Sequence, residues 1–388
     1  MANGRQIVNY NAMAQDNTSL GDIARLFLKL GVIGFGGPVV HIAMMEEEVV
    51  RKRAWMSHQH FLDLVGATNL IPGPNSTEMT MHIGHERRGW KGLVVAGSCF
   101  IIPAVLITAL FAWGYQRYGQ LPQVQPFIYG IKPAIIAVIV VTMINLGKKA
   151  LKNVQLVVLG VLSAIAVLAG LNEIFVLFGA GLAGIFLYFI RSGRNTTWSI
   201  FPFTLLQLGY SHPGVTPLKL FCIFLKVGAI LYGSGYVLFA FLDAELVATG
   251  LLTKQQLIDS IAVGQFTPGP VFSSATFIGW QIGGLAGALA ATIGIFLPSF
   301  LFVALLNPLI PKLRKSKIFS AFLDTVNVAS IAIILAVVVE MSRETLLDWR
   351  TIIIAVLSFI ITFNFRKLNT AFIISGGALL GYLLTLIP

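Results

Sequence analysis

The run Ile71-Pro72-Gly73-Pro74-Asn75-Ser76-Thr77 and its echo 196 residues on, Thr267-Pro268-Gly269-Pro270-Val271-Phe272-Ser273, decide how this chain is read. Proline cannot donate to a helix ladder, and glycine accepts backbone angles closed to other residues, so Pro-Gly-Pro ends one helix and lets another begin. The first run lies between Phe61–Ile71 and Thr77–Ile83, apolar pieces each too short to cross a bilayer, and the pair reads as a re-entrant hairpin. Outward from the two runs the match continues. Phe27-Leu28-Lys29-Leu30-Gly31 returns as Phe224-Leu225-Lys226-Val227-Gly228, and the break Gly34-Phe35-Gly36-Gly37-Pro38 returns as Tyr232-Gly233-Ser234-Gly235. Asp63 matches Asp259, Ile83-Gly84 matches Ile278-Gly279, and Pro103 matches Pro298, always at an offset of 195 to 197. So many punctuating residues repeated in order mark an internal duplication.

Composition sets the solvent. Of 388 residues, 56% are hydrophobic and 11% charged, against about 25% charged in soluble proteins, so an all-α polytopic membrane protein with the lipid bilayer as its partner is expected. The net charge of +11 would suit nucleic acid, but Lys and Arg cluster between apolar stretches, the positive-inside pattern of cytoplasmic loops. No nucleic-acid partner is expected. Met1 to Leu20 is polar and lacks the apolar core of a signal peptide, so membrane entry falls to internal segments. Cys99 and Cys222 sit inside apolar runs and imply neither a disulfide nor a metal pair. The chain divides into a polar segment (1–20), a first membrane repeat (21–190), an interfacial linker (191–217) with Trp198, Phe201, Phe203 and Tyr210, and a second repeat (218–388).

Counting crossings gives an orientation. The broken stretch Ile23–Met45 is read as one crossing, the Pro-Gly-Pro hairpin returns to its own side, and Gly92–Trp113, Gln125–Leu146, Val154–Gly170 and Ile174–Ile190 cross in turn. The second copy gives Leu285–Leu306, Ile318–Val339, Thr351–Phe363 and Ala371–Ile387. Five crossings per half is an odd number, so the second repeat is expected to be inverted. One side then gathers Arg51-Lys52-Arg53, Arg87-Arg88-Lys91, Lys148-Lys149-Lys152, Arg191 and Arg194, Lys219, Lys312 to Lys317 and Arg366-Lys367, eighteen of 27 basic residues. Arg5, Arg117, Lys254, Arg343 and Arg350 fall opposite. Making both broken helices hairpins would send the Lys312–Lys317 cluster outward, so that parity is set aside. The expectation is a multi-pass protein of the plasma (inner) membrane with both termini outside the cytoplasm.

Inverted repeats with broken helices at the midplane are the grammar of secondary transporters. Backbone freed at that depth is tolerated only beside protein or a water-filled cavity. After each second proline a helix starts, and its free N–H groups and positive dipole end suit an anion. Asn75, Ser76 and Thr77 follow Pro72, Gly73 and Pro74; Val271, Phe272 and Ser273 follow Pro268, Gly269 and Pro270. With the breaks Phe35, Gly36, Gly37, Pro38 and Tyr232, Gly233, Ser234, these form the expected substrate-binding set. Lys29 and Lys226 occupy the same place in both halves; an embedded cation must snorkel, pair or bind something, and both are carried as binding candidates. Lys132, beside Pro133 inside a span and matched by Asn327, is a candidate for facing a central cavity. Glu78, His82, His85 and Glu86 fall close to one helix face, whereas their counterparts Ser274, Phe277 or Ile278, Trp280 and Gln281 do not ionise. Three readings stay open: a proton relay or gate, a metal site, and a solvated face reaching Arg87-Arg88.

The stretch Phe35-Gly36-Gly37-Pro38, His41, Trp55-Met56-Ser57, Asn69, Pro72-Gly73-Pro74-Asn75-Ser76 and Phe100-Ile101-Ile102-Pro103 resembles the chromate transporter (CHR) family. The second half is similar to it through Gly264-Gln265-Phe266-Thr267-Pro268-Gly269-Pro270-Val271, Thr276-Phe277-Ile278-Gly279 and Ile295-Phe296-Leu297-Pro298-Ser299-Phe300. The length resembles the long-chain, two-domain members. The resemblance implies export of chromate, with sulfate as a close analogue, and a homodimer is compatible with it. It adds Asn69 and Gln265 to the substrate-binding set and His41 to the coupling or gating set of Glu78, His82 and His85. The second break departs from the family pattern, reading Tyr-Gly-Ser-Gly where Phe-Gly-Gly-Gly is expected, which bears on oxyanion preference. A dianion leaving an inside-negative cell gains about 4.6 kcal/mol per 100 mV, so efflux driven by membrane potential, proton gradient or both requires no ATP, and no phosphate-binding loop is present. No catalytic residue, resident metal or cofactor is implied. The alternatives are a cation-coupled sulfate importer and, from another class, an intramembrane enzyme, although neither His-Glu-x-x-His nor Gly-x-Ser-x-Gly occurs.

Overall fold

The computed structural model describes residues 18–192, 216–232, 235–306, 316–365 and 368–387. Among them the regular structure is helical throughout, and fourteen α-helices form two series of seven. The first series is α1 (Leu20–Ile33), α2 (Pro38–Met45), α3 (His58–Thr68), α4 (Asn75–Tyr118), α5 (Gln125–Ala150), α6 (Val154–Leu168) and α7 (Glu173–Ser192). The second is α8 (Pro217–Ile230), α9 (Val237–Leu242), α10 (Lys254–Phe266), α11 (Ser274–Leu306), α12 (Lys317–Thr345), α13 (Trp349–Asn364) and α14 (Thr370–Thr385). Both α2 and α9 run on into a π-helical turn, Glu46–Lys52 and Asp243–Val247. Five described helical segments, in α4, α5, α7, α11 and α12, are long and apolar enough to cross a membrane. Leu106, Leu305 and Phe372 are 64%, 67% and 71% exposed. A surface of that kind belongs in lipid, because water would penalise it.

Both α4 and α11 reverse direction along their length. Arg88 and Gly89 have φ/ψ of −142/26 and 58/−148, and Gly283 and Gly284 have −136/22 and 59/−149. The same turn is made twice, and the positive φ falls on glycine, which alone adopts it without strain. After it the arms pack antiparallel: a Cβ on Gly84 would lie 2.3 Å from Gly92 O, and one on Gly279 would lie 2.3 Å from Gly287 O. The short arms, Asn75 to Arg88 and Ser274 to Gly283, thus complete the Pro-Gly-Pro hairpins begun by α3 and α10.

The first broken helix does not cross once, as the sequence count supposed. Lys29 in α1 and Glu48 after α2 form an ion pair at 3.0 Å, and Lys226 and Glu245 do the same at 2.6 Å. Nineteen residues of continuous helix would separate each pair by about 28 Å, so α1–α2 and α8–α9 fold back on themselves. Arg87 confirms it by touching both ends of the first hairpin, donating to Thr18 Oγ1 at 2.7 Å and to Trp55 O at 3.2 Å. Each series therefore opens on two helical hairpins, and the single crossing expected of the first broken helix is replaced by a fold-back.

The long arms of α4 and α11 nevertheless run in opposite directions. The long arm of α4 runs beside the short arm of α11 in the same sense: Thr108 bonds Ser273, Ala112 O accepts from Gln281, and Gln116 accepts from Trp280. It is therefore antiparallel to the long arm of α11. Ser192 ends α7 and Thr216 precedes α8. The expected interfacial linker lies largely in 193–215, outside the described residues. Thr18, Arg51 to Arg53, Arg87-Arg88, Lys148 to Lys152 and Lys317 share one end, tied there by Thr18–Arg87 and Lys152–Asp324 contacts. Tyr129 and Arg350 mark the other end, bonded to Asp348 and Ile387 O. Lys219, at the start of α8, falls on this sparse end and not with the basic clusters. Thr18 and Ile387, where description begins and stops, lie at opposite ends of the bundle.

Packing crosses between the halves. α5 packs against α13 and α14, and α12 packs against α6 and α7. Glycines permit it: a Cβ on Gly130 would sit 2.2 Å from Gly377 O, and one on Gly184 would sit 2.4 Å from Thr325 Oγ1. Small residues at such contacts let backbones approach where lipid supplies no hydrophobic drive.

Candidate functional site

Ser19, Ser57, Thr216 and Thr253 cap α1, α3, α8 and α10 with side-chain oxygens. After the two Pro-Gly-Pro turns no such cap is present: Pro74 stands at the cap position of α4, and Pro270 at that of a three-residue 3₁₀ turn, Val271–Ser273, that leads into α11. The first N–H groups there are thus left for something else. Each turn is buried and bound to the opposite half. Gly73 N–H donates to Leu231 O at 2.9 Å, at the end of α8, and Gly269 N–H donates to Gly34 O at 2.7 Å, at the end of α1. Gly73 has φ +137 and Gly269 φ +86, and neither has room for a side chain: a Cβ would meet Glu78 Oε1 at 2.3 Å and Ser299 Oγ at 2.4 Å in the first, Ala104 Cβ at 2.9 Å in the second.

Around these turns the structure gathers part of the expected set. Ser76, Thr77 and Ser273 are buried, and Thr77 Oγ1 finds no hydrogen-bond partner among the described residues. Ser273 accepts from Thr108 at 3.3 Å. Asn75 donates to Asn69 Oδ1 at 2.8 Å. Gln265 accepts from Tyr236 at 3.0 Å, and its amide nitrogen is unpaired among the described residues. Tyr232 O accepts from Ser330 at 3.1 Å; Gly233 and Ser234 lie outside the described residues. Phe35, Gly36 and Gly37 are half-buried and Pro38 is exposed at the tip of the first hairpin. His41 is buried and meets Gly34 O at 2.8 Å, which ties it to the break that receives Gly269.

The cations are engaged elsewhere. Lys29 and Lys226 hold their hairpins closed through Glu48 and Glu245. Lys132 pairs with Asp259 at 3.1 Å, and Tyr115 donates to the same carboxylate at 2.5 Å. Of the ionisable strip, Glu78 and His82 are 0% and 1% exposed, which removes the solvated-face reading for both. Only His85 and Glu86 approach the surface, where Glu86 meets His60 at 3.4 Å. No metal-binding cluster of three or more such groups occurs among the described residues.

A cavity of about 260 Å³ opens between α3 and α12, lined by Gly66, Asn69, Ser320, Asp324 and Asn327 among others. Asn69 in its lining accepts from Asn75, the residue that follows the first turn. Lys132 is the duplicate of Asn327, and where Asn327 lines this cavity Lys132 is engaged with Asp259, which also accepts from Tyr115. Sequence reasoning missed Ser299, Thr108 and Tyr115. Lone hydroxyls in apolar spans usually bond their own helix, so nothing in the sequence set these apart; Asp259 was visible only as a repeat match.

Two stretches of the chain, residues 21–185 and 218–382, each match the same family model, that of the chromate transporter. A chromate transport protein of Cupriavidus metallidurans is 30% identical over 376 residues, covering 94% of this chain and 92% of its own length. A probable chromate transport protein of Synechococcus elongatus is 30% identical over 375 residues, covering 94% and 95%. An uncharacterized transporter of Bacillus subtilis, YwrA, is 27% identical over 143 residues, which is 37% of this chain but 80% of its own. No solved structure matches the chain.

Proposed function

This chain belongs to the chromate transporter family, and on that premise we propose that it exports chromate, or a tetrahedral oxyanion like it, from the cytoplasm as a secondary transporter of the plasma membrane. Membership alone carries the coarser statement: a multi-pass membrane transport protein, not an enzyme. The observation that supports the finer one is the pair of uncapped helix starts, each bonded through its Pro-Gly-Pro glycine to the broken helix of the other half. Backbone N–H groups and two positive dipole ends suit a compact anion and need no fixed cation. We read residues 21–190 and 218–388 as inverted-topology repeats, and Gly73, Asn75, Ser76, Thr77, Gly269 and Ser273 as the centre of the site.

Direction follows from charge. Taking the basic end as cytoplasmic, the cavity beside Asn69 faces the loading side for export, and the Lys132–Asp259–Tyr115 cluster closes the far side. Outward movement of a dianion then runs with the potential, at about 4.6 kcal/mol per 100 mV. A second reading, a cation-coupled importer of sulfate-like anions, draws on the buried carboxyl of Glu78. Labelled chromate and sulfate flux in proteoliposomes, with the potential clamped at either sign, separates the two. Export predicts chromate flux from the basic-face side that rises when that side is negative and falls on reversal. Flux indifferent to potential overturns the proposal, and flux only down an imposed proton gradient moves the chain to the second reading.

A further inference from the structure

At the first Pro-Gly-Pro turn a carboxyl group stands where an anion would. Glu78, in the first turn of α4, is fully buried, and its Oε1 lies so close to Gly73 that a Cβ there would meet it at 2.3 Å. Its hydrogen-bond partner is Ser299 Oγ at 3.4 Å, and Oε2 has none among the described residues. A buried carboxylate normally collects several donors or a cation. This one has a single long hydrogen bond and the uncapped start of its own helix. The titratable side chains facing it are Tyr232, from the break after α8, and His82, one turn further along the same arm. Ser299 on α11 and Gly73 complete the surroundings and carry no charge. At the second turn the equivalent residue is Ser274, and the opposing position holds Ala104 where the first has Ser299. One turn of the pair therefore carries an ionisable side chain and the other does not.

We propose, resting on the anion-site reading above, that Glu78 and the transported oxyanion compete for the first turn, so that the anion binds only when Glu78 holds a proton. Two anionic groups at one helix start in a water-poor site repel strongly. A protonated Glu78 removes the repulsion and offers an O–H donor in its place. The proton is taken up on a Glu78 oxygen from the side the anion enters. Release of the anion restores the carboxylate and returns the proton on the side of exit. Each dianion then crosses with one proton, and the cycle moves one negative charge where the bare dianion would move two.

Sulfate is the probe, because it does not itself protonate in the neutral range as chromate does. Calorimetric binding to the purified full chain, from neutral to alkaline pH and in two buffers of different ionisation heat, yields both affinity and proton count. Where unliganded Glu78 is ionised, the wild-type chain is expected to take up about one proton per sulfate, its dissociation constant rising about tenfold per pH unit; where Glu78 already holds its proton, neither is expected. Glu78→Gln is expected to bind with no pH slope and no proton uptake, and Glu78→Asp to keep both. A wild-type chain whose sulfate binding takes up no proton and shows no slope anywhere from neutral to alkaline pH overturns the proposal. So does a Glu78→Gln chain that keeps the slope, which would pass the proton to His82. Gly269→Val, at the other turn, tests the underlying site: undiminished sulfate binding there sinks the anion-site reading itself. Lost binding there with an unchanged slope in Glu78→Gln sinks only the competition. The wild-type proton count stands by itself if a variant fails to assemble.

Discussion

Replacing Lys132 with Met removes the cation from a pair whose side chains are 14% and 6% exposed, leaving Asp259 with Tyr115 as its remaining donor. Breaking a buried pair from one side costs about 3–5 kcal/mol, mostly because the other charge stays behind unpaired. Tyr115 still donates at 2.5 Å, so the lower end applies, about 3 kcal/mol, or roughly a hundredfold in a folding or closing equilibrium. Asp259→Asn alone strands the lysine and is expected to do comparable harm. Lys132→Met with Asp259→Asn removes both charges while an amide oxygen can still accept from Tyr115. The double variant is therefore expected to recover about 2 kcal/mol relative to the sum of the single losses, a coupling of the size found for residues in contact. Thermal unfolding in detergent measures the stability term, and flux in proteoliposomes measures whether the far cleft still closes. Purely additive losses in stability would refute the pairing argument. A double variant restored in stability but unable to distinguish divalent from monovalent anions would instead return Lys132 to direct contact with substrate.

Other consequences are open to simpler tests. Gly73→Ala and Gly269→Ala each place a Cβ at positive φ against a close neighbour; about 1–2 kcal/mol of backbone strain per site, before the clash, should cut anion flux at least tenfold while membrane levels persist. Ala104→Gly should relieve part of the Gly269→Ala loss, because Ala104 Cβ is the atom met at 2.9 Å, but leave Gly73→Ala unchanged; relief of both would count against the separate geometry of the turns. Single cysteines at Thr18, Lys152 and Lys317 should label from one side of the membrane, and cysteines at Lys219, Lys254 and Arg350 from the other. Labelling of Thr18 together with Lys219 would break the hairpin topology.

Much of the architecture was legible because proline and glycine leave a mark at any depth. The two Pro-Gly-Pro turns and the duplication of the chain were readable from spacing. The fold-back of the first helix was not, since Ile23–Met45 has the same hydropathy whether it continues or returns. Yet a signal was there: Glu48 and Glu245 repeat at the same offset as Lys29 and Lys226, and two duplicated cations in apolar surroundings call for two duplicated anions. The placement of Lys219 at the sparse end escaped because the stretch before it is mixed in composition and gives no apolar crossing to count. At the site, the glycines and helix starts were legible, whereas Ser299 and Asp259 gain meaning only from the opposite half. Lys132 was noticed for its cost in the membrane, but sequence alone does not say which carboxylate repays it.

The exchange of helices between halves also sets a timetable for biogenesis. Gly130 of α5 finds its partner at Gly377 of α14, close to the end of the chain. At about 5–20 residues per second, α5 waits on the order of tens of seconds in the bilayer before that surface exists. Through the interval its glycine face is open to lipid or to any other small-residue helix nearby. The protein therefore passes through a long, partner-seeking stage inside the membrane, in which insertion is well advanced and packing has hardly begun. Loss of the last helix alone would prolong that stage indefinitely, leaving a nascent product whose fate rests with quality-control proteases.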